Sequence, residues 1–368
     1  MRVAIVAPAH VTVPSPHDDP TGNGIRTLAD ALTARGHTVL VCAAGPSHCD
    51  ARVFITMPRP AHTRSKTNVE SGVDIALTHV MRAAEAVQAF NPMVIHDYTG
   101  TLGLIAGIGD GKTPLVISVA EPLPSARLTL LEQLVGSRTA PTRCIAESEW
   151  IGEQLQPSLC RTVIAPGVTV HDVVFTARKR PYALYVGTAD ADSGLVHLAR
   201  AARGLGLPLH IHLAGRAAAD EAYLLNHLGT HIGDDLVVES ANDAFSVRTL
   251  IAGAQMLLTT AGSLARYPQV AARAALSGTP TIQLTMHEHV THQQSETAPR
   301  SVTRVITMAD ATRATANEIR GIDPYECRRI GVMQWGPDAA AASYEHVYRD
   351  VINRAEVGAS APLSAAAT

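Results

Sequence analysis

The chain begins MRVAIVAPAHVTVPSPHDDPTGNGIRTLADALTARGHTVLVC over residues 1–42. An apolar run, Val3–Ala7, is followed by a loop with glycines and then by a segment with helical periodicity, Ile25–Arg35. Gly36 is placed to end that helix, and a second apolar run follows at Thr38–Cys42. A strand, a helix and a strand in this order are typical of a βαβ unit with parallel strands. The opening therefore predicts an α/β protein.

The same alternation of short apolar runs and amphipathic segments continues along the chain, and a second series begins near Tyr182. At 368 residues the chain exceeds one ordinary hydrophobic core, which stops growing at about 250–300 residues. We therefore expect two Rossmann-like domains, 1–178 and 179–340, followed by a crossing helix and disordered tail at 341–368. Further strands are predicted at Met93–His96, Leu115–Val119, Arg143–Ala146, Ala183–Val186, Leu209–Leu213, Leu236–Glu239, Met256–Thr259 and Thr281–Leu284.

The composition is that of a soluble globular protein, with a net charge of −3, 46% hydrophobic residues and 17% charged residues. No excess of either charge indicates a nucleic-acid or membrane surface. The apolar N-terminal run has no signal-peptide cleavage site behind it, and no apolar stretch approaches the roughly 20 residues that span a bilayer. We expect a cytoplasmic protein without a membrane span and without a nucleic-acid partner.

Histidines are numerous, and His287, Glu288, His289 and His292 lie close together. A zinc helix needs the order H-E-x-x-H, and here the second histidine comes one place too late. The five cysteines form no metal-spaced set. We therefore expect no metal site, and interpret the histidine-rich segment as a solvated loop.

Several segments match a known family in the right order along the chain. They are MRVAIVAPAH, TGNGIRTLADALTARGHTV, PLVISVAEPLP, CIAESEWIGEQL, YALYVGTADADSGLVHLARAA, AARAALSGTPTI and WGPDAAAASYEHVYRDVI. Over roughly Met1–Ile352 the chain resembles the family 4 (GT4) glycosyltransferases. The resemblance implies the GT-B architecture, in which two Rossmann-like domains face each other across a cleft and a C-terminal helix returns to the first domain. It also implies a nucleotide diphosphate sugar, with UDP or GDP, on the second domain and an acceptor on the first, with no other cofactor.

The resemblance breaks at five charged or titratable positions of the family. Thr188 and Ser193 stand where the family has an arginine and a lysine, and Ala265 and Arg273 stand where it has paired glutamates. Ala120 replaces a histidine. Each charge-assisted contact is typically worth about 1.5–3 kcal/mol, so the usual way of binding the donor cannot be assumed.

Other residues offer substitutes for the missing donor contacts. Arg216, after the strand-end Gly215, and Arg266 and Arg273 carry guanidinium groups that can clamp a diphosphate in a bidentate manner. For each of them, a surface arginine or an ordinary turn is the alternative interpretation. The remaining donor-binding candidates are Gly22, Asn23 and Gly24 of the glycine-containing loop, Thr188, Ser193, Gly262, Ser263 and Thr279.

Acidic residues at strand ends of the first domain are candidates for the acceptor side. Asp97 follows a predicted strand, where a carboxylate can contact an acceptor hydroxyl or act as general base. Its alternative is an N-cap for the helix that begins near Thr101. The neighbouring Tyr98 joins the candidates, as do Asp18 and Asp19, which are as easily surface charges.

Two functional hypotheses follow from this resemblance and its gaps. The first is an active glycosyltransferase that uses a small-molecule acceptor through an O-, N- or S-link, in specialised metabolism such as antibiotic biosynthesis. The second is a pseudoenzyme that keeps the GT-B scaffold as a binding or partner-activating subunit. A homodimer or a partner protein stays open under both hypotheses.

Overall fold

The computed structural model describes residues 1–16, 19–61, 69–214, 218–229, 233, 235–239, 244–285 and 302–360. The chain forms two compact units, residues 1–167 with 340–368 and residues 168–339. Within the described residues, no helix combines the length and the apolar character needed to cross a membrane.

The first unit is built on a parallel sheet, sheet A. Its centre is the apolar N-terminal run, in which Val3 pairs with Val39 on one side and Val94 on the other. Both faces of these strands are buried, which explains why the sequence has continuous apolar runs there. The described strands are β1 (Arg2–Val6), β2 (Thr38–Ala44), β3 (Arg52–Met57), β4 (Val94–Asp97), β5 (Leu115–Val119), β6 (Thr142–Ala146) and β7 (Cys160–Val163), in the order β3-β2-β1-β4-β5-β6-β7.

Helices cover both faces of sheet A. Alternate residues of β1 pack on opposite faces, so Ile5 joins the core that contains Ile25 and Tyr344, whereas Val6 joins the core that contains Val80. The helices described here are α1 (Pro20–Ala34), α2 (Val69–Phe90), α3 (Thr101–Ile105), α4 (Ser125–Gly136) and α5 (Glu149–Gly152).

The second unit repeats this plan on a second parallel sheet, sheet B. Its described strands are β8 (Arg180–Gly187), β9 (Leu209–Leu213), β10 (Leu236–Val238), β11 (Ala254–Thr260), β12 (Thr281–Leu284) and β13 (Thr303–Ile306), in the order β10-β9-β8-β11-β12-β13. The helices are α6 (Leu195–Leu205), α7 (Ala218–Leu228), α8 (Ala244–Gly253), α9 (Ala261–Arg266), α10 (Pro268–Leu276), α11 (Arg313–Arg320), α12 (Pro324–Trp335) and α13 (Pro337–Ser360). From Ala340 onward, α13 belongs to the first unit.

The predicted α/β class with two Rossmann-like series is confirmed, including the final helix that returns to the first unit. Residues 168–179 belong to the second unit, and Val168, Val170 and Val173 pack with Leu276 there. The strands β3, β7 and β13 lie outside the predicted set, and each forms an edge of its sheet.

Candidate functional site

The carboxyl edge of sheet B, where β8 and β11 end, is shaped by a buried tyrosine. The Tyr185 hydroxyl donates to the Thr188 carbonyl at 2.7 Å and lies 3.2 Å from the Ser263 hydroxyl. A Cβ on Gly187 would stand 2.6 Å from this hydroxyl, so only glycine fits between them. The first turn after β8 is therefore tied to the start of α9.

The next turn is closed by Ser193, which is 2% exposed. The Ser193 hydroxyl donates to the Asp190 carbonyl at 2.6 Å, and the Thr260 hydroxyl donates to the Ser193 carbonyl at 3.3 Å. Gly194 follows with a φ of +69°, a backbone conformation that glycine adopts without strain. Ser193 therefore holds the turn that precedes α6, so its predicted donor contact does not fit its buried position.

Arg266 is the arginine that the structure places at this edge. Its guanidinium lies 3.0 Å from an Asp190 carboxylate oxygen and 3.9 Å from one of Asp192, with 22% of the arginine side chain exposed. The Thr188 hydroxyl donates to the same Asp190 oxygen at 3.1 Å. Gly262, on the first turn of α9, is exposed. We define the sheet B edge site as Thr188, Asp190, Gly262, Ser263 and Arg266.

Two other predicted donor residues lie away from this site. Thr279 precedes β12, so it lies at the amino end of a parallel strand, and it is 1% exposed. Its hydroxyl donates to the Ile251 carbonyl at 2.8 Å and accepts from Lys179. The burial of Thr279 and its position at the amino end of β12 do not favour its predicted role in donor binding. Arg273 lies half-buried in the last turn of α10.

The glycines of the first βα connection lie inside α1 and not in an open loop, which corrects the predicted start of that helix at Ile25. Asp19 caps α1, and its carboxylate accepts from the Thr21 N–H at 2.9 Å and the Gly22 N–H at 3.1 Å. A Cβ on Gly22 would stand 2.4 Å from the Thr12 carbonyl oxygen. The glycine therefore permits close packing against the preceding loop, and its N–H is already engaged.

The neighbours of Gly22 are similarly engaged. The Asn23 side chain accepts from the Ser15 N–H at 3.1 Å, and a Cβ on Gly24 would stand 3.0 Å from Pro166. Packing and hydrogen bonds within the fold thus explain the presence of Gly22, Asn23 and Gly24 without the predicted phosphate contacts. Of the other predicted residues, Asp18, Gly215, Arg216 and the histidines around residue 289 lie outside the described part of the chain.

Asp97 ends β4 and is fully buried. One carboxylate oxygen accepts from the Thr99 N–H at 2.8 Å and the Thr99 hydroxyl at 2.7 Å. Burial raises the pKa of Asp97 to about 6, although the Thr99 hydrogen bonds oppose this. The N-cap of α3 is Gly100, which corrects the alternative interpretation. Asp97 therefore orders the turn before α3, and its burial does not favour the predicted catalytic role.

A chain of buried polar side chains lies next to Asp97 at the same edge of sheet A. Of its members, only Tyr98 was a predicted site residue. The two ring nitrogens of His96 lie 2.8 Å from the Tyr348 hydroxyl and 2.8 Å from the Ser118 hydroxyl. The Tyr98 ring stands 4.4 Å from the His96 ring. Burial lowers the pKa of His96 to about 3, so the imidazole stays neutral.

Glu147 is the functional candidate that sequence reasoning missed. It directly follows β6, which places it at the carboxyl edge of sheet A, and it is 7% exposed. Burial, with smaller contributions from Asp19 and Glu121, raises the pKa of this carboxyl group to about 8. The available signal was a carboxylate directly after a buried strand, in the segment CIAESEW.

Comparison with solved structures places these two edges in a known architecture. AviGT4, a glycosyltransferase involved in avilamycin A biosynthesis, superimposes with a TM-score of 0.65 and 18% identity over 96% of this chain and 98% of its own. Sucrose-phosphate synthase from Thermosynechococcus elongatus gives 0.61 and 16% over 96% and 100%. HepE from Anabaena, in complex with UDP and glucose, gives 0.57 and 12% over 95% and 100%. The chain has the GT-B fold. Neither protein-family models nor curated protein sequences give a match.

In this GT-B chain the Tyr185 hydroxyl is the internal support of the sheet B edge site. Changing Tyr185 to phenylalanine is expected to lower the free energy of unfolding by about 1 kcal/mol, because one buried hydrogen bond is lost. Urea denaturation followed by circular dichroism measures the change. An unchanged free energy of unfolding would show that the Thr188 carbonyl is satisfied without this hydroxyl.

Proposed function

We propose that this chain is a glycosyltransferase, similar to family GT4, that moves a sugar from a nucleotide diphosphate sugar to a small-molecule acceptor. The observation that carries the proposal is the likeness in fold over nearly the whole chain to the glycosyltransferase AviGT4 and to HepE, a protein solved in complex with UDP-glucose. In the proposal, UDP or GDP binds at the sheet B edge site of the second unit. The first unit binds the acceptor at the carboxyl edge of sheet A. We propose a cytoplasmic enzyme.

The kind of acceptor is a finer part of the proposal. AviGT4 is described as acting in avilamycin A biosynthesis, which supports an acceptor from specialised metabolism, such as antibiotic biosynthesis. Sucrose-phosphate synthase and the catalytic domain of starch synthase IV have a similar fold, so fold by itself does not select an acceptor.

The sheet B edge site can serve a diphosphate through Arg266 and the start of α9. A guanidinium can hold two phosphate oxygens at once, and the exposed backbone at Gly262 allows close approach. Arg266 already pairs with Asp190, so a diphosphate competes with this carboxylate for the arginine. We therefore expect binding of the nucleotide that is weaker than a site with unopposed cations would give.

The proposal is tested by titrating the protein with UDP, GDP and dTDP in a calorimeter. At least one of these should bind, and Arg266→Ala should weaken it about tenfold, since a charge-assisted contact is lost. Asp190→Asn should strengthen binding, because it removes the competing charge and keeps the side-chain shape. Arg329→Ala is the matched control, since that arginine pairs with Glu326 on the surface of α12.

The opposite result would favour the pseudoenzyme alternative. A folded protein that binds none of the nucleotides contradicts the donor proposal, as does equal affinity in wild type and Arg266→Ala. The replacement of five family positions, Ala120, Thr188, Ser193, Ala265 and Arg273, motivates this second candidate. It predicts a binding or partner-activating protein without sugar transfer.

A further inference from the structure

The backbone of Glu147 is fixed at the carboxyl edge of sheet A, but its carboxyl group makes no described hydrogen bond that would stabilise the fold. Its backbone N–H donates to the Val119 carbonyl at 3.1 Å, which continues the pairing of β5 and β6 by one residue. The residue is 7% exposed. In the described part of the chain no hydrogen bond reaches its carboxyl group. A largely buried carboxyl group without a hydrogen-bond partner is costly to ionise, and a bound molecule with N–H donors would offset that cost.

The hydroxyl groups around this carboxyl group are engaged with one another. Tyr98 interacts with Tyr344, and Tyr344 interacts with Ser118. The Ser118 hydroxyl lies 2.8 Å from His96, which in turn contacts Tyr348. The chain of polar groups is thus satisfied internally. These hydroxyl groups do not pair with the Glu147 carboxyl group, which is therefore available to a bound molecule.

The charges that face Glu147 from the neighbouring elements are negative. Asp19 at the start of α1 and Glu121 after β5 both raise the pKa of its carboxyl group, and no basic group opposes them among the described residues. Tyr98, directly after β4, and Tyr344, in α13, face it with neutral hydroxyls whose pKa its charge raises further. A ligand that suits this place carries positive charge.

We propose that the edge formed by Asp19, Tyr98, Glu121 and Glu147 binds an ammonium group of the acceptor, with Glu147 as its principal hydrogen-bond partner. The inference rests on the proposed function, because the amine-bearing molecule is the acceptor of the sugar. An ammonium group compensates the buried carboxylate and supplies N–H donors to it. A metal ion suits this edge less well, since the described residues include no group of three or more carboxylate, imidazole or thiol side chains that could hold one.

The test compares matched amines and alcohols on the same carbon skeleton. Tyramine and tyrosol form one pair, and cyclohexylamine and cyclohexanol form the other. Their binding is measured by saturation-transfer NMR in wild type, in Glu147→Gln and in Glu153→Gln. The last variant is the control, because it makes the same change on the exposed Glu153 a few residues away.

We expect each amine to bind at least about tenfold more tightly than its alcohol, in line with a charge-assisted contact. Glu147→Gln should abolish this preference, and Glu153→Gln should retain it. Below about pH 8 the Glu147 carboxyl is protonated, so amine affinity should rise between about pH 6.5 and about pH 9 in wild type. This rise should be absent in Glu147→Gln.

Three results would overturn the inference: equal binding of amines and alcohols, amine binding that persists in Glu147→Gln, or no amine binding near pH 9. If Glu147→Gln does not fold, the exposed Glu121→Gln takes its place and should weaken amine binding about threefold, in proportion to an exposed charge. Titration of UDP into the same samples separates the two proposals, because loss of amine binding with intact UDP binding contradicts only the acceptor class.

Discussion

Replacing Glu345 with glutamine is expected to lower the free energy of unfolding by about 2–3 kcal/mol, because a buried ion-pair network loses the carboxylate that its basic groups share. One Glu345 oxygen lies 2.6 Å from Arg35 and 2.9 Å from His37, and the other accepts from Arg349 at 2.9 Å. The Glu345 side chain is 4% exposed. The two arginines are more exposed, which keeps the expected loss below that of a fully buried pair.

The contribution of Glu345 depends on pH in a defined direction. The side chains of Arg35 and His37 lower the pKa of Glu345 from its usual 4.5 to about 2, although burial opposes them. The unfolded chain therefore takes up a proton before the folded chain does. The stabilisation is complete above about pH 4.5 and is lost as the pH falls toward about 2.

Urea denaturation of wild type and Glu345→Gln at several pH values measures both effects. The difference in free energy of unfolding should be full near neutral pH and should shrink below about pH 4.5. Glu85→Gln is the matched control, since it makes the same change on an exposed residue of α2. A difference that stays constant down to about pH 2 would contradict the ionic origin of the effect.

Replacing Lys179 with methionine is expected to lower the free energy of unfolding by about 3 kcal/mol, because buried acceptors lose their donor. The Lys179 ammonium donates to the Ala252 carbonyl at 2.8 Å, the Ser277 carbonyl at 2.9 Å and the Thr279 hydroxyl at 2.9 Å. Ala252 lies in the last turn of α8 and Ser277 is the C-cap of α10, and a positive charge is favourable at such helix ends. The Lys179 side chain therefore caps the C-terminal ends of two helices.

The comparison that isolates this effect uses two further variants. Lys179→Arg keeps the charge but has no single nitrogen with three N–H donors, so it should recover only part of the loss. Lys112→Met removes an exposed lysine and should change the free energy of unfolding by less than about 0.5 kcal/mol. Equal stability of wild type and Lys179→Met in thermal unfolding would show that water replaces the ammonium.

The sequence predicted the central strands because they are buried on both faces. β1, β5 and β11 have buried side chains along their whole length or all but one residue, which produces the apolar runs from which strands are recognised. In the missed strand β3 only the last two residues are buried, and Phe54 and Ile55 are exposed. An edge strand has one neighbour and less apolar burial, so its sequence carries a weaker pattern.

Candidate site residues were harder to predict than strands, because a side chain's neighbours depend on elements distant in sequence. Thr279 sits beside a glycine turn, where a phosphate contact was a reasonable hypothesis, yet its hydroxyl faces Lys179 at the opposite end of the sheet. Asp97 follows the expected pattern of a strand-end carboxylate but is fully buried. Glu147 shares that pattern, and among the described residues no hydrogen bond to its carboxyl group contributes to its raised pKa.

The RGH tripeptide at residues 35–37, within the segment TGNGIRTLADALTARGHTV, shows the same dependence on distant elements. Its arginine and histidine, Arg35 and His37, bind Glu345, which lies more than three hundred residues later in α13. Sequence reasoning associated both segments with one family and expected the last helix to return. It had no means to pair these charges, because ion pairing needs the two helices in contact.

By itself, the sequence determined the α/β class and the succession of two parallel sheets, since these follow from the spacing of apolar residues along the chain. The opening MRVAIV and the helix that ends before Gly36 already contain that information. Tertiary structure alone decided that the glycines after Pro20 lie inside α1, that Arg266 is paired with Asp190, and that Glu147 faces other carboxyl groups. Such features depend on burial and charge supplied by several elements at once, which local pattern does not encode.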